Sequence, residues 1–329
     1  MRLPENDVED FSSSKHFHIG SLNCRLRVNR PEYADYVAQF LKQDLERFPD
    51  WKSDFDLILE DCPSIDARIS KTPAEGCDFL SESSLDGKRW LFSRGNFLAY
   101  HIADASPPRL ACLAQRGVGD HDIEAYFHLM LNRAMVTMGF FYLHAAGIVS
   151  GKRGLLFCGE KGTGKSTLSV ALGKADAIVL ADDHVLLKRG ENVFTMSGTS
   201  SMARITEQTE RHFFAQGLRA KLITVGGTKK KEFELSEQMR ALPFQDVKVT
   251  HVFFPEVTGK YALYPLSQGA ALFHWLRLTR HLLIHPEHSQ EESYMNFFSR
   301  LAVGIPAWRV ELPADLAMLT TVVKDLTSL

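Results

Sequence analysis

The strongest chemical signal in the sequence is a glycine-rich octet that ends in a lysine and a serine. It follows the apolar run Leu155 to Cys158 and precedes a helical pattern from Thr167 to Leu172. Glycines let the backbone approach phosphates closely, and the N-terminus of a following helix adds partial positive charge. The lysine would bind the β- and γ-phosphates of a nucleotide, and the serine hydroxyl would ligate Mg²⁺. We therefore predict a nucleotide site at Gly159, Glu160, Lys161, Gly162, Thr163, Gly164, Lys165, Ser166 and Thr167.

Two adjacent carboxylates, Asp182 and Asp183, follow the apolar run Ile178 to Ala181. We expect this run to be a buried parallel strand, which would bring the acid pair beside the octet. Neighbouring side chains of a strand point to opposite faces, so one carboxylate can serve Mg²⁺ while the other faces a different group. The alternative is a pair that only caps the following turn.

A histidine precedes a predicted tight hairpin. His144 comes shortly before Ser150-Gly151-Lys152-Arg153, whose two central residues suit a two-residue turn. Opposed residue numbers in such a hairpin have a constant sum, which places His144 opposite Gly159. There the imidazole could bond to Asp182 or Asp183 and hold the acid in its working ionisation state. The alternative is a histidine packed in the core.

The segment before this region predicts a small α+β domain, residues 1–118. Its expected elements are a strand from His18 to Val28, a helix from Arg30 to Phe48 that Pro31 begins, a strand from Asp56 to Leu59, and a hairpin from Arg89 to Ala103 that turns at Arg94-Gly95-Asn96.

Residues 119–329 alternate strand and helix patterns, which indicates an α/β layer architecture. The further expected elements are a helix from Asp120 to Met138, strands from Val247 to Phe254 and from Ala307 to Leu312, and helices from Ala270 to Ile284 and from Pro313 to Leu326.

Composition narrows the class of protein. The chain has 329 residues, a net charge of -2 and 45% hydrophobic residues, which is typical of a folded globular protein and disfavours a general nucleic-acid or membrane-surface binder. No apolar run approaches the roughly 18 residues that span a bilayer. The five cysteines are scattered and never spaced C-x-x-C, which favours a reducing cytoplasmic location.

His144, the octet and the acid pair, in this order and spacing, resemble the HPr kinase/phosphorylase family. That family shares the plan of its kinase core with the nucleotide part of ATP-dependent phosphoenolpyruvate carboxykinase. The match is specific over Leu143 to Leu187 and weak elsewhere. The resemblance implies an α/β fold with a P-loop kinase core of the HPr kinase/carboxykinase type, a smaller N-terminal α+β domain and assembly into a homo-oligomer.

The resemblance also implies roles for individual residues. Asp183 would be the catalytic base, His144 its assistant and Lys165 the phosphate ligand, while Ser166 and Asp182 would hold Mg²⁺. The residue types alone leave open which Asp has which role. The segment Met196 to Arg204 lacks the family's Ile-Arg-Gly motif, and its second signature is not recognisable here. We therefore expect an acceptor other than HPr.

Three secondary features could contribute. The stretch Gly226 to Lys231 reads as a flexible basic loop that could supply a cation to the phosphates, or as a solvated turn. Arg204 could be a second phosphate ligand. His274, Arg277, His281 and His285 share one helix face, and with Glu287 and His288 they could form a metal site, although a polar face is the favoured interpretation.

The leading functional hypothesis is a phosphotransferase, specifically a serine kinase similar to HPr kinase. It would move the γ-phosphoryl group of Mg²⁺-ATP to a hydroxyl of a protein, a peptide or a small molecule. A GTPase is disfavoured because no asparagine is followed by lysine. The alternatives are an ATPase or nucleotide-dependent switch without an acceptor, a carboxykinase-like enzyme, and a nucleotide-binding module that has lost catalysis.

Overall fold

A computed structural model describes residues 13–41, 43, 52–62, 89–94, 97–102, 105–115, 130–191, 193–225, 227–279 and 288–329. These residues fall into two compact units. The first unit takes in the described residues of 13–18, 22–139 and 288–290, and the second takes in those of 19–21, 140–279 and 291–329. The domain boundary expected between residues 118 and 119 lies outside the described residues.

The first unit is built on a mixed sheet of six strands in the order β1-β2-β3-β6-β5-β4. Strands β2, β3 and β6 run parallel, and β5 and β4 continue the sheet antiparallel. The elements are β1 (Ser13–Ile19), β2 (Leu22–Val28), α1 (Pro31–Leu41), β3 (Phe55–Cys62), β4 (Arg89–Arg94), β5 (Phe97–Ile102), β6 (Arg109–Gln115) and α2 (residues 130–137).

Most elements expected in the first unit are confirmed, with one correction. The single strand expected from His18 to Val28 is wrong, because Gly20 adopts a left-handed φ of 59° and turns the chain between β1 and β2. The helix begun by Pro31, the strand around Ile58 and the hairpin of β4 and β5 are present. The helix begun by Pro31 ends at Leu41, short of the expected Phe48, and Gln43 lies in a bend. Gly95, Asn96 and the helix start expected at Asp120 lie outside the described residues.

The second unit carries a larger mixed sheet in the order β11-β10-β7-β8-β15-β17-β16, with β9 paired to β7. Strand β11 also pairs with β15, so five strands close into a ring. The strands of the second unit are β7 (Phe140–Ser150), β8 (Arg153–Cys158), β9 (Ile178–Ala181), β10 (His184–Arg189), β11 (Phe194–Gly198), β12 (Met202–Ile205), β13 (Lys221–Val225), β14 (Thr228–Glu234), β15 (Val247–Val257), β16 (Ala262–Pro265) and β17 (Ala307–Leu312).

The helices of this part of the chain are α3 (Lys165–Lys174), α4 (Glu207–Phe213), α5 (Gln268–Thr279), α6 (His288–Gly304) and α7 (Leu319–Ser328). Helices α3 and α7 enclose the main core against the sheet, and Leu168, Leu172, Val322 and Leu326 are fully buried there. Strands β12, β14 and β13 form a small separate sheet. Among the described residues, no helix has both the length and the apolar character to cross a bilayer.

Three expectations for the second unit need correction. Strand β9 is antiparallel to its neighbour β7, not parallel, because it lies along the edge of a hairpin. Lys229, Lys230 and Lys231 lie in strand β14 rather than in a loop, paired with β13; Gly226 lies outside the described residues. The last helix begins at Leu319, not Pro313, because Asp315 caps a 3₁₀ turn at Leu316–Met318.

The other expected elements of this unit are present. Strand β17 has the predicted bounds, and β15 runs three residues beyond the predicted Phe254. The helix expected from Ala270 is α5, which starts two residues earlier and is described as far as Thr279. His281, His285 and Glu287 lie outside the described residues, and His288 begins a separate helix.

Candidate active site

The glycine-rich octet forms a loop between β8 and the N-terminus of α3, hereafter the Gly159–Ser166 loop. Gly162 and Gly164 have left-handed φ values of 88° and 94°, which residues with a Cβ rarely adopt. A Cβ on Gly164 would also lie 2.8 Å from Leu312 Cδ1. The loop therefore needs glycine at these positions, and its shape is suited to turning backbone N–H groups toward an anion.

The side chain of Lys165 folds back over this loop. Its Nζ donates hydrogen bonds to the carbonyls of Gly159, at 2.6 Å, and Glu160, at 2.9 Å. The residue is only 5% exposed. Burial lowers the pKa of Lys165 to about 8, although Cys158 and both members of the acid pair favour its charged form. The ammonium group thus lies against the backbone at the start of the Gly159–Ser166 loop.

The acid pair lies between β9 and β10, two consecutive strands that pair with the same side of β7. Strand β9 pairs with Gly147–Val149 and β10 with Phe140–His144, both antiparallel, so they run one after the other along β7. Asp182 and Asp183 sit between them, and the Asp183 carbonyl accepts a bond from the Ala145 amide at 3.0 Å. The break between the two strands lets the two carboxylates face different partners.

Asp182 is buried, at 2% exposure, and both of its oxygens are held. Oδ1 accepts from Ser169 Oγ at 2.8 Å and Oδ2 from the Arg204 backbone N–H at 3.1 Å. The same Oγ lies 3.2 Å from the Ser166 carbonyl oxygen, one turn back along α3. These bonds connect the carboxylate to the helix turn that carries Ser166.

Asp183 faces a histidine instead. His144 Nδ1 lies 2.9 Å from Asp183 Oδ1, which is the contact expected from the hairpin register. That register is present, with Ala145 opposite Cys158 and Ser150 opposite Arg153. His184 is paired with His144 across β7 and β10, and its Nδ1 lies 3.7 Å from Asp183 Oδ2.

A cleft of about 270 Å³ brings these groups together. Its lining includes both hydroxyl and carboxylate side chains and cationic side chains, a combination that suits a metal-bound anion. The lining residues are His144, Lys161, Gly162, Gly164, Lys165, Ser166, Thr167, Asp182, Asp183, Arg204, Ile205, Thr206 and Lys230.

A second cleft of about 450 Å³ adjoins the first and shares His144 and Lys161 with it. Tyr142, Trp275 and Leu278 give it aromatic and aliphatic walls. Arg277 of α5 reaches its rim, where Nε pairs with Glu160 Oε1 at 3.0 Å. The two clefts therefore meet beside the His144–Asp183 pair.

The structure places the secondary candidates from the sequence in different surroundings. Lys230 and Arg204 line the smaller cleft, but the Arg204 guanidinium pairs with Glu232 at 2.6 Å. His274 stacks on Phe254 with ring centroids 4.6 Å apart.

Sequence reasoning missed Ser169, the Arg204 amide and His184. The position of Ser169, one helical turn after Ser166, was the available signal for the first of these.

The similarity of this chain to solved structures is illustrated by one weak match. No protein-family model matches the chain, and no curated protein matches it either. A solved structure, the Hpr(Ser) kinase/phosphatase from Coxiella burnetii, aligns with 16% sequence identity over 56% of this chain and 95% of that chain, with a TM-score of 0.28. Function is therefore inferred from the geometry of the two clefts.

Proposed function

We propose that this protein is an ATP-dependent phosphotransferase that moves the γ-phosphoryl group of Mg²⁺-ATP to a hydroxyl, with a serine of a protein or peptide or a small alcohol as acceptor. One observation carries the proposal. The Gly159–Ser166 loop, the buried Lys165, the doubly bonded Asp182 and the His144–Asp183 pair line the same cleft.

The donor atoms fit Mg²⁺, which prefers hard oxygen ligands and keeps several waters. The Ser166 hydroxyl and the Asp182 carboxylate would hold it. An ion held by these two residues would supply positive charge to offset the negative charge that develops on the phosphates during transfer. Ser169 and the Arg204 amide fix the orientation of Asp182, which is what the outer partners of a metal ligand do.

The remaining steps belong to the chain's own side chains. Loop amides and Lys165 bind phosphate oxygens and stabilise the charge of the transition state. Asp183 accepts the proton of the acceptor hydroxyl, and His144 orients that carboxylate through its bond to Oδ1. The acceptor oxygen forms a bond to the γ-phosphorus while the bond to the β–γ bridging oxygen breaks, so that its electron pair leaves with ADP.

The larger cleft is the proposed entry for the acceptor. His144 lines both clefts, whereas Thr167 and Thr206 line only the smaller one. In-line transfer needs the acceptor and the leaving ADP on opposite sides of the γ-phosphorus. A volume of about 450 Å³ suits a serine side chain with its flanking residues or a small molecule.

The deciding experiment incubates the purified chain with Mg²⁺, γ-labelled ATP and an extract of the source cells. Lys165→Ala and Asp183→Asn test the site, and Lys152→Ala and Asp246→Asn, at exposed positions away from it, are matched controls. We expect label on a discrete acceptor with the wild type and both controls, and none with the site variants. Free phosphate without a labelled acceptor would instead identify an ATPase.

A further inference from the structure

A cluster of possible metal ligands includes two residues that line the smaller cleft, His144 and Asp183. His144, Asp183 and His184 each offer one ligand atom, and these atoms lie within 4.8 Å of one another. We propose that these three residues, hereafter the two-histidine site, bind one divalent transition-metal ion of the Zn²⁺ class. The site is separate from the Ser166 and Asp182 pair proposed for Mg²⁺.

The distances suit a tetrahedral ion. Ligands about 2.0–2.1 Å from Zn²⁺ at tetrahedral angles lie roughly 3.3 Å apart. His144 Nδ1 lies 2.9 Å from Asp183 Oδ1, and His184 Nδ1 lies 3.7 Å from the other carboxylate oxygen, Oδ2. Because all three ligand atoms lie within 4.8 Å of one another, no pair has to approach by more than about 1.5 Å to reach the tetrahedral separation.

The backbone and an aromatic ring hold the histidines in place. His144 and His184 are directly opposed on antiparallel strands, which puts both imidazoles on one face of the sheet. The His184 ring stacks on Tyr142 with centroids 4.9 Å apart and planes 23° apart. The side chains of the three ligands are 22% to 41% exposed, so water can reach the fourth coordination position.

The ligand set selects against Mg²⁺. Two imidazoles and one carboxylate favour Zn²⁺, Co²⁺, Ni²⁺ or Cu²⁺, whereas Mg²⁺ takes oxygen ligands in octahedral geometry. An ion bound at Asp183 would block the carboxylate that is proposed to accept the acceptor proton. The metal site stands independently of the proposed function, but this inhibitory consequence rests on it.

Metal binding is tested first, without nucleotide or acceptor. The full chain is titrated with Zn²⁺ by calorimetry and with Co²⁺ by visible absorption. His184→Phe keeps a ring against Tyr142 and removes the donor atom; His212→Phe makes the same change at an exposed histidine of α4. We expect one equivalent and a tetrahedral Co²⁺ spectrum for wild type and His212→Phe, and at least tenfold weaker binding for His184→Phe. Equal affinity in all three proteins, or no binding to wild type, would overturn the site.

Inhibition is tested second, in the phosphoryl-transfer assay at constant Mg²⁺, with each rate divided by that protein's own zinc-free rate. We expect half-inhibition of wild type at a Zn²⁺ concentration at least tenfold below that for His184→Phe. Equal sensitivity of the two proteins would place the inhibitory ion elsewhere. If neither wild type nor the variant transfers phosphate in the absence of added Zn²⁺, the proposed function is wrong. The Zn²⁺ and Co²⁺ titrations then still show whether the two-histidine site binds metal.

Discussion

At the scale of single residues, the hydrogen bonds that hold the Asp182 carboxylate are the feature that is hardest to predict from the sequence. The glycine-rich octet and the acid pair are visible because their spacing along the chain is itself the signal. The contacts of Ser169 and the Arg204 amide with Asp182 join positions 13 and 22 residues apart in sequence, and only the packing of α3 and β12 brings them together. A local pattern cannot show such contacts.

Replacing Ser169 tests whether its hydrogen bond to Asp182 contributes to Mg²⁺ binding. Ser169→Ala removes one of the two described bonds that hold the Asp182 carboxylate and leaves both proposed Mg²⁺ ligands in place. We expect the Mg²⁺ concentration that gives half-maximal transfer to rise about 10- to 100-fold. Ser236→Ala, at an exposed serine, is the control and should leave this concentration unchanged. Equal Mg²⁺ dependence in both variants would show that Asp182 does not need Ser169.

A second prediction concerns the backbone of the Gly159–Ser166 loop. Gly164→Ala forces a Cβ into a left-handed conformation and toward Leu312, so we expect the free energy of unfolding in urea to fall by about 1–2 kcal/mol or more. Mg²⁺-ATP binding should fall with it. Gly269→Ala, at a position with open space in the first turn of α5, should be neutral or slightly stabilising.

At the scale of elements, the hairpin of β7 and β8 was predictable, whereas the strand neighbours of β7 were not. The turn at Gly151 and Lys152 fixes the register locally, and that register placed His144 beside the loop and the acid pair. Sequence periodicity alone predicted a parallel β9 and a loop at Lys229–Lys231. Both predictions are wrong, because the direction of a strand and its pairing depend on residues distant in sequence.

Strand β15 makes a pH-dependent contribution to stability. Burial, with the positive charge of Arg153, lowers the pKa of His251, whose ring stacks on Trp308 at 5.1 Å. The folded chain then takes up a proton at this site less readily than the unfolded chain, whose histidines titrate near about 6.5. The free energy of unfolding should therefore decrease as the pH falls below that value.

Urea titrations at several pH values between 7 and 5 check this sign. His251→Phe keeps an aromatic ring in the stack and should show a shallower decrease than wild type. His212→Phe, at the surface, should keep the wild-type slope. Burial also lowers the pKa values of His16 and His274, so some decrease should persist in every variant. A wild-type slope in His251→Phe would contradict the assignment.

At the scale of the whole molecule, the two units have separate sheets, and both described clefts are lined by the second unit alone. We predict two unfolding transitions in calorimetry. Mg²⁺-ATP at 100 times its Kd should stabilise only the second unit, by about 2.7 kcal/mol. Lys165→Ala should abolish that shift. A single transition that moves as one would show that the units unfold together.

The ring of strands β11, β10, β7, β8 and β15 has a mechanical consequence. Hydrogen bonds continue around all five strands. His144, His184 and the start of the Gly159–Ser166 loop are therefore attached to one closed ring of strands, which we expect to be rigid. This wall of the cleft cannot splay without breaking a ladder. Lys230, which also lines the smaller cleft, lies in the β12-β14-β13 sheet outside the ring. We therefore expect any closure over a bound nucleotide to involve that smaller sheet.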